Sequence, residues 1–178
     1  MAPTPERNAS APTIAGDHRI QGRWFRVLTP RFAHQPLSGD GARLKGGRFN
    51  APGQPALYLS ADPHTAYAEY TQNVFDRPGL MCSYDVDAGP IADLTDPAML
   101  AALRVTADEL AGRWVRVPDP PSQRIAHQLS AQGYAGAIYR SAQHPAGVNL
   151  VLWRWTEAGA QVEVVDRLGE APAKPIET

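Results

Sequence analysis

Between residues 31 and 69 the chain changes character three times in quick succession, and that punctuation limits what it can fold into. Residues 31–54 are polar and interrupted by glycine, the pattern of a long loop. Ala56-Leu57-Tyr58-Leu59-Ser60 is a short apolar strand. Asp62-Pro63 then reads as an N-cap with proline in the first helical turn, opening a helix that runs to about Phe75 before Arg77-Pro78-Gly79 breaks it. Long loops inside compact domains are uncommon and more often functional than not. This one contains Lys45-Gly46-Gly47-Arg48-Phe49-Asn50, so a guanidinium, the phenol of Tyr58 and the carboxylate of Glu69 fall at three successive element boundaries. Glycine permits positive φ and close backbone approach to a ligand, and arginine offers a planar fork matched to phosphate. A nearby carboxylate stabilises developing positive charge. The set suits an anionic nucleotide whose reacting centre becomes cationic.

Around this block the pattern predicts an α+β protein. Trp24–Leu28 is a first strand ended by Pro30, and Leu80–Val86 is a third. Pro97–Leu103 and Thr106–Arg113 are short helices, the second opened by the capping-box residues Thr106 and Glu109. Pro121–Gln132 carries Ile125, Ala126 and Leu129 at helical spacing and is closed by Gly133. Gly136–Ser141 is a fourth strand. Asn149–Trp155 and Gln161–Arg167 are two more around Glu157-Ala158-Gly159, a hairpin signal. Helices inserted irregularly, without βαβ alternation, argue against a doubly wound sheet. Residues 1–19 and 169–178 lack periodicity and are rich in proline, so they read as poorly ordered arms flanking a single domain over 20–168.

Composition excludes several functions. A net charge of -1 and a pI near 6.5 give no electrostatic reason to bind nucleic acid or an anionic membrane. One cysteine, Cys82, excludes an intramolecular disulfide and a cysteine-based metal site, and its strand context reads as a small core residue. No apolar run approaches bilayer length and no leader pattern opens the chain, so the expected location is the cytoplasm. His18, His34, His64, His127 and His144 share no local metal-ligand spacing, and no metal is expected.

Each candidate residue has a plainer reading beside its functional one. Arg48 is a nucleotide ligand or a surface arginine in a Gly-rich turn; the loop lacks the Gly-Lys-Ser/Thr of a nucleotide-triphosphatase. Asn50 contacts a ligand or caps its own turn. Tyr58 offers a flat face to an aromatic ring, or packs in the core. Glu69 is a site carboxylate or a solvated mid-helix glutamate without a lysine four residues on. Small Ala66 and Ala68 leave room for a ligand, or simply favour helix. Ser141 opens Ala142-Gln143-His144-Pro145-Ala146-Gly147, a loop able to aim a hydroxyl and backbone N–H groups. A serine hydrolase is excluded because no Gly-x-Ser-x-Gly elbow is present.

Taken together, Gly46-Gly47-Arg48-Phe49-Asn50, Leu57-Tyr58-Leu59-Ser60, Ala66 through Glu69, Ile138-Tyr139-Arg140-Ser141 and Asn149-Leu150-Val151-Leu152 resemble the RES domain. The opening strand Trp24-Phe25-Arg26-Val27 resembles it too, so the likeness covers about residues 22 to 155. Phe49 stands where tryptophan is more familiar. The family is named for an arginine, a glutamate and a serine, matched here by Arg48, Glu69 and Ser141. The resemblance implies an ADP-ribosyltransferase-like fold of mixed and antiparallel sheets with inserted helices. It also implies the toxin of a bacterial toxin–antitoxin pair that consumes NAD+, held in check by an antitoxin of Xre or helix-turn-helix type. Within the family the sequence looks like the ParT branch, in which ADP-ribose passes to a protein acceptor; hydrolysis or phosphorolysis of NAD+ is the alternative. A non-catalytic nucleotide-binding module is a third reading. Under the first, Glu69, Tyr58 and Arg48 are catalytic. Arg26, Arg31, Lys45, Gly46, Gly47, Asn50, Ser141 and Asn149 would then bind the dinucleotide.

Overall fold

The computed structural model describes residues 13–14, 19–72, 78–166 and 172–174. The helix end expected near Phe75, the strand end expected at Arg167 and most of both terminal arms lie outside these. The strands are β1 (Thr13–Ile14), β2 (Ile20–Leu28), β3 (Leu57–Ser60), β4 (Leu80–Ala88), β5 (Ile91–Asp93), β6 (Gly136–Arg140), β7 (Val148–Leu152), β8 (Thr156–Glu157) and β9 (Ala160–Val164). They form one sheet in the order β5-β6-β7-β3-β2-β4-β9-β8, with β1 paired to β2. Every pairing is antiparallel except β5 with β6. The helices are α1 (Asp40–Lys45), α2 (Pro63–Thr71), α3 (Pro97–Leu103), α4 (Ala107–Ala111) and α5 (Pro121–Ala131). The protein is therefore α+β, as the irregular spacing of its helices predicts. Among the described residues, no helix is long and apolar enough to cross a membrane.

Alternation along the strands sorts side chains onto two faces. One face carries Ile20, Trp24, Leu57, Leu59, Tyr84, Val86, Ile138, Leu150 and Leu152 as a continuous core, covered by Leu37 and Trp155. The other carries Ala137, Tyr139 and Val151, packed under Phe49, Ile125, Ala126 and Leu129. The α5 spacing read from the sequence is the stripe that buries Ile125, Ala126 and Leu129 on this second face. Helix α2 begins at the Asp62 N-cap, whose carboxylate accepts from the Thr65 N–H at 2.8 Å. The capping box at α4 is present in full, Thr106 and Glu109 exchanging their hydrogen bonds.

Three expectations need correction. Residues 31–54 are not all loop: α1 lies inside them, ended by Gly46 at φ 72°. The turn at Gly159 does make a hairpin, but it joins β9 to the two-residue β8, while β7 ends at Leu152 and lies between β6 and β3. The signal identified the turn correctly and the wrong partner strand. Finally, Thr13–Ile14, inside the stretch read as an arm, pair with Gln21 and Ile20.

Candidate active site

Helix α2 follows β3 directly and brings Glu69 over the second face of the sheet. Its carboxylate Oε1 accepts two hydrogen bonds, from Ser141 Oγ at 2.7 Å and from Asn149 Nδ2 at 2.6 Å. Asn149 is opposite Ser60 on β3 and Tyr139 on β6, so all three side chains share one face. Ser60 Oγ donates to Asn149 Oδ1 at 2.8 Å, which leaves the amide nitrogen to point at Glu69. Ser141, at the end of β6, accepts from the backbone N–H groups of Gln143 (3.2 Å) and His144 (2.9 Å) while donating to Glu69. Ser141, Asn149 and Ser60 are all buried. Glu69 is half-buried, and its Oε2 accepts no hydrogen bond from the described residues. The cluster thus fixes one oxygen and leaves the other unbonded by the described residues.

Tyr139 is the residue that sequence reading missed. It is buried, its ring packs on Phe49 at 4.4 Å between centroids, and its hydroxyl lies beside Asn149. Burial pushes its phenol well above the ordinary value, Tyr58 and Glu69 push the same way, and Arg48 opposes them. One buried phenol therefore lies within electrostatic reach of Arg48, Tyr58 and Glu69 together. Its place opposite Asn149 follows from the pairing of β6 with β7, which the sequence does not display; the apolar flanks of β6 read only as core.

The diglycine loop is braced from within. Tyr58 Oη accepts from the Phe49 N–H at 2.9 Å and donates to Asn50 Oδ1 at 2.7 Å. Asn50 is buried, and its Nδ2 donates to the carbonyls of Ala42 (2.9 Å), Gln54 (2.8 Å) and Ala51 (3.3 Å). A Cβ on Gly47 would lie 2.5 Å from Tyr58 Oη and 2.6 Å from Asn50 Oδ1, so only glycine fits there. The plainer reading of Asn50, a side chain that secures its own turn, is the geometry observed. Burial raises the Tyr58 phenol far above its ordinary value despite the Phe49 N–H and Arg48, so its hydroxyl stays protonated as a donor.

Arg48 donates through Nη1 to the carbonyls of Leu110 and Gly112, both at 2.8 Å, at the C-terminal end of α4. Its Nε and Nη2 have no partner among the described residues. None of the other cations expected near the nucleotide bonds Glu69. Phe25, not Arg26, faces Ser60 across β2 and β3, so Arg26 projects from the opposite face. There it lies beside Tyr84 and Cys82 and reaches Ser38 O at 3.4 Å; burial lowers its pKa. Arg31 is exposed against Phe32, and Lys45 is exposed at the last position of α1. Cys82 is half-buried rather than core. Ala66 is buried against the sheet, so its small size serves close packing.

Two cavities lie away from this cluster. One of about 280 Å³ is bordered by Leu103, Arg104, Arg124 and Ile125. The other, about 340 Å³, lies between Phe49, Pro55, His127 and Trp153. Asp62, His64 and His144 bring three potential metal-ligand atoms within 4.8 Å of one another.

The fold and cluster define a class: a mostly antiparallel α+β protein that joins a helix glutamate to a post-strand serine, with the arginine of a diglycine loop within electrostatic reach of the same buried tyrosine. The chain belongs to the RES domain family, whose model matches residues 23–174. Among solved structures it is similar to the M. tuberculosis MbcT-MbcA toxin-antitoxin complex, with a TM-score of 0.61 and 25% identity. That likeness covers 82% of this chain and 82% of that one. No curated protein matches the sequence.

Proposed function

We propose that this chain is the toxin of a toxin–antitoxin pair, and that it cleaves NAD+ at the nicotinamide–ribose bond and transfers ADP-ribose to a protein acceptor. The observation that supports the reading is the Glu69 carboxylate, held on one oxygen by Ser141 and Asn149, with no bond from the described residues on the other. Nicotinamide is already a cationic leaving group and departs neutral with the electron pair of the C–N bond. No general acid is needed. The ribose passes through an oxocarbenium-like state, as in glycoside hydrolysis. Glu69 Oε2 accepts a hydrogen bond from a ribose hydroxyl and stabilises that charge. The acceptor nucleophile then forms the new bond to the anomeric carbon and gives its proton to solvent.

We assign the remaining roles on the chemistry of the residues. Tyr58 stacks on the nicotinamide ring while its hydroxyl stays engaged in the loop. Arg48, secured by Nη1, offers Nε and Nη2 to the pyrophosphate. NAD+ is a co-substrate. The partner is an antitoxin of helix-turn-helix type that covers this face, and DNA binding belongs to that partner, consistent with the net charge of -1. The MbcT-MbcA structure is a toxin-antitoxin complex, which supports a protein partner here. The cytoplasm is the compartment that holds both.

Purified chain incubated with NAD+ should release free nicotinamide; no release above the Glu69→Gln variant rejects the proposal. Adenylate-labelled NAD+ in a lysate then separates acceptors. Label on a protein band indicates transfer, and label only in small molecules indicates hydrolysis or phosphorolysis.

A further inference from the structure

One cluster beside the Glu69 site is used by none of this chemistry. Asp62 is the N-cap of α2, His64 is in the first turn of that helix, and His144 belongs to the loop after β6, about eighty positions away in sequence. One donor atom from each lies within 4.8 Å of the other two. The two imidazoles meet edge to face with centroids 4.6 Å apart. Local spacing does not reveal the group, since the second histidine comes from another element.

The donor set is prepared for coordination. Thr65 Oγ1 donates to Asp62 Oδ2 at 2.6 Å, so toward His144 Nδ1, 2.9 Å away, it acts as acceptor. That assigns the proton of His144 to Nδ1 and leaves Nε2 with its lone pair. An imidazole whose other nitrogen is bonded to a neighbouring oxygen is the usual arrangement around a bound metal. Asp62 Oδ1 accepts from the Thr65 N–H and Oδ2 from the Thr65 hydroxyl, and the His64 N–H also bonds the carboxylate, which orients it toward the imidazoles. The loop is pressed onto the helix here: a Cβ on Gly147 would collide with the Thr65 side chain.

We propose that Asp62, His64 and His144 form a site for a borderline divalent cation such as Zn2+, which fastens the loop after β6 to the N-terminus of α2. Two imidazole nitrogens and one carboxylate oxygen select zinc, nickel or cobalt over magnesium or calcium, and leave a fourth position for water. Thr65 lies one helical turn before Glu69, and His144 N–H is bonded to the Ser141 oxygen that donates to Glu69. The cation therefore stabilises the pairing of Ser141 with Glu69 without touching either. This inference does not depend on the NAD+ reading.

The test is calorimetric titration of ZnCl2 into the full chain in a buffer that does not chelate, with thermal melts in parallel. One Zn2+ per chain is expected, with a raised melting temperature and no response to MgCl2. His64→Ala and His144→Ala should each weaken binding at least tenfold. His64 is exposed, so its variant keeps the fold and the comparison stands even where His144→Ala unfolds. No saturable binding by the wild-type chain overturns the proposal, as does unchanged affinity in His64→Ala.

Discussion

Glu69 Oε1 receives Ser141 Oγ at 2.7 Å and Asn149 Nδ2 at 2.6 Å, joining residues 72 and 80 positions apart in the chain at a single oxygen. An amide oxygen can accept the same two bonds, so Glu69→Gln removes the charge and keeps the local geometry. Nicotinamide release should fall at least about a hundredfold, in line with loss of a positioned electrostatic group. Binding of NAD+ should change only a few-fold, and the melting temperature should hold. Turnover near wild type would remove Glu69 from the mechanism.

Ser141→Ala deletes one donor to Glu69 and the oxygen that satisfies two backbone N–H groups. The hydroxyl is buried, so the loss should cost about 1–3 kcal/mol in urea unfolding. Ser60→Ala is the control one step removed. It frees the Asn149 amide to rotate and should lower kcat more than it raises KM for NAD+.

The Gly47–Tyr58–Asn50 brace predicts coupling. Gly47→Ala places a methyl group where Tyr58 Oη and Asn50 Oδ1 lie, and should destabilise by about 1–3 kcal/mol. Tyr58→Phe leaves the Phe49 N–H without its acceptor and should cost about 1–2 kcal/mol. In the double variant part of the clash is relieved, so the two costs should sum to less than additive in denaturant melts. Strict additivity would show that the brace does not operate in solution.

Acid stability should depend on Glu109. The backbone N–H and hydroxyl of Thr106 hold its carboxyl below the ordinary value of 4.5. A depressed folded value means the stabilisation is complete above 4.5 and is lost as pH falls through the folded value. Glu109→Gln should therefore flatten the acid limb of the stability curve and leave the neutral-pH shape unchanged. The readout is chemical denaturation from pH 3 to 7.

Much of this was legible in the chain, because short-range chemistry wrote it. The Asp62 cap, the Thr106–Glu109 box and the Ile125–Leu129 stripe depend on spacings of three or four residues, and the structure has them all. Glu69 and Ser141 were singled out through resemblance, not pattern, and the hydrogen bond between them was not foreseen. What pattern could not supply was strand partnership and side-chain direction. Arg26 reads as an anion ligand until the pairing of Phe25 with Ser60 puts it on the far face. The Gly159 turn gives no hint that its first strand is two residues long. Tyr139 is invisible without knowing that β6 lies beside β7. The Lys45–Asn50 segment shows the subtler limit: close approach by a backbone was expected there, and the thing approached is the protein's own tyrosine.

That inward use of the diglycine segment has a genetic corollary. Inactivating changes recovered at Gly47, Asn50 or Tyr58 would look like hits on a nucleotide cradle, yet the bonds they break are internal to the fold. Abundance of the variant chain, measured next to its activity, distinguishes a collapsed scaffold from a disarmed one.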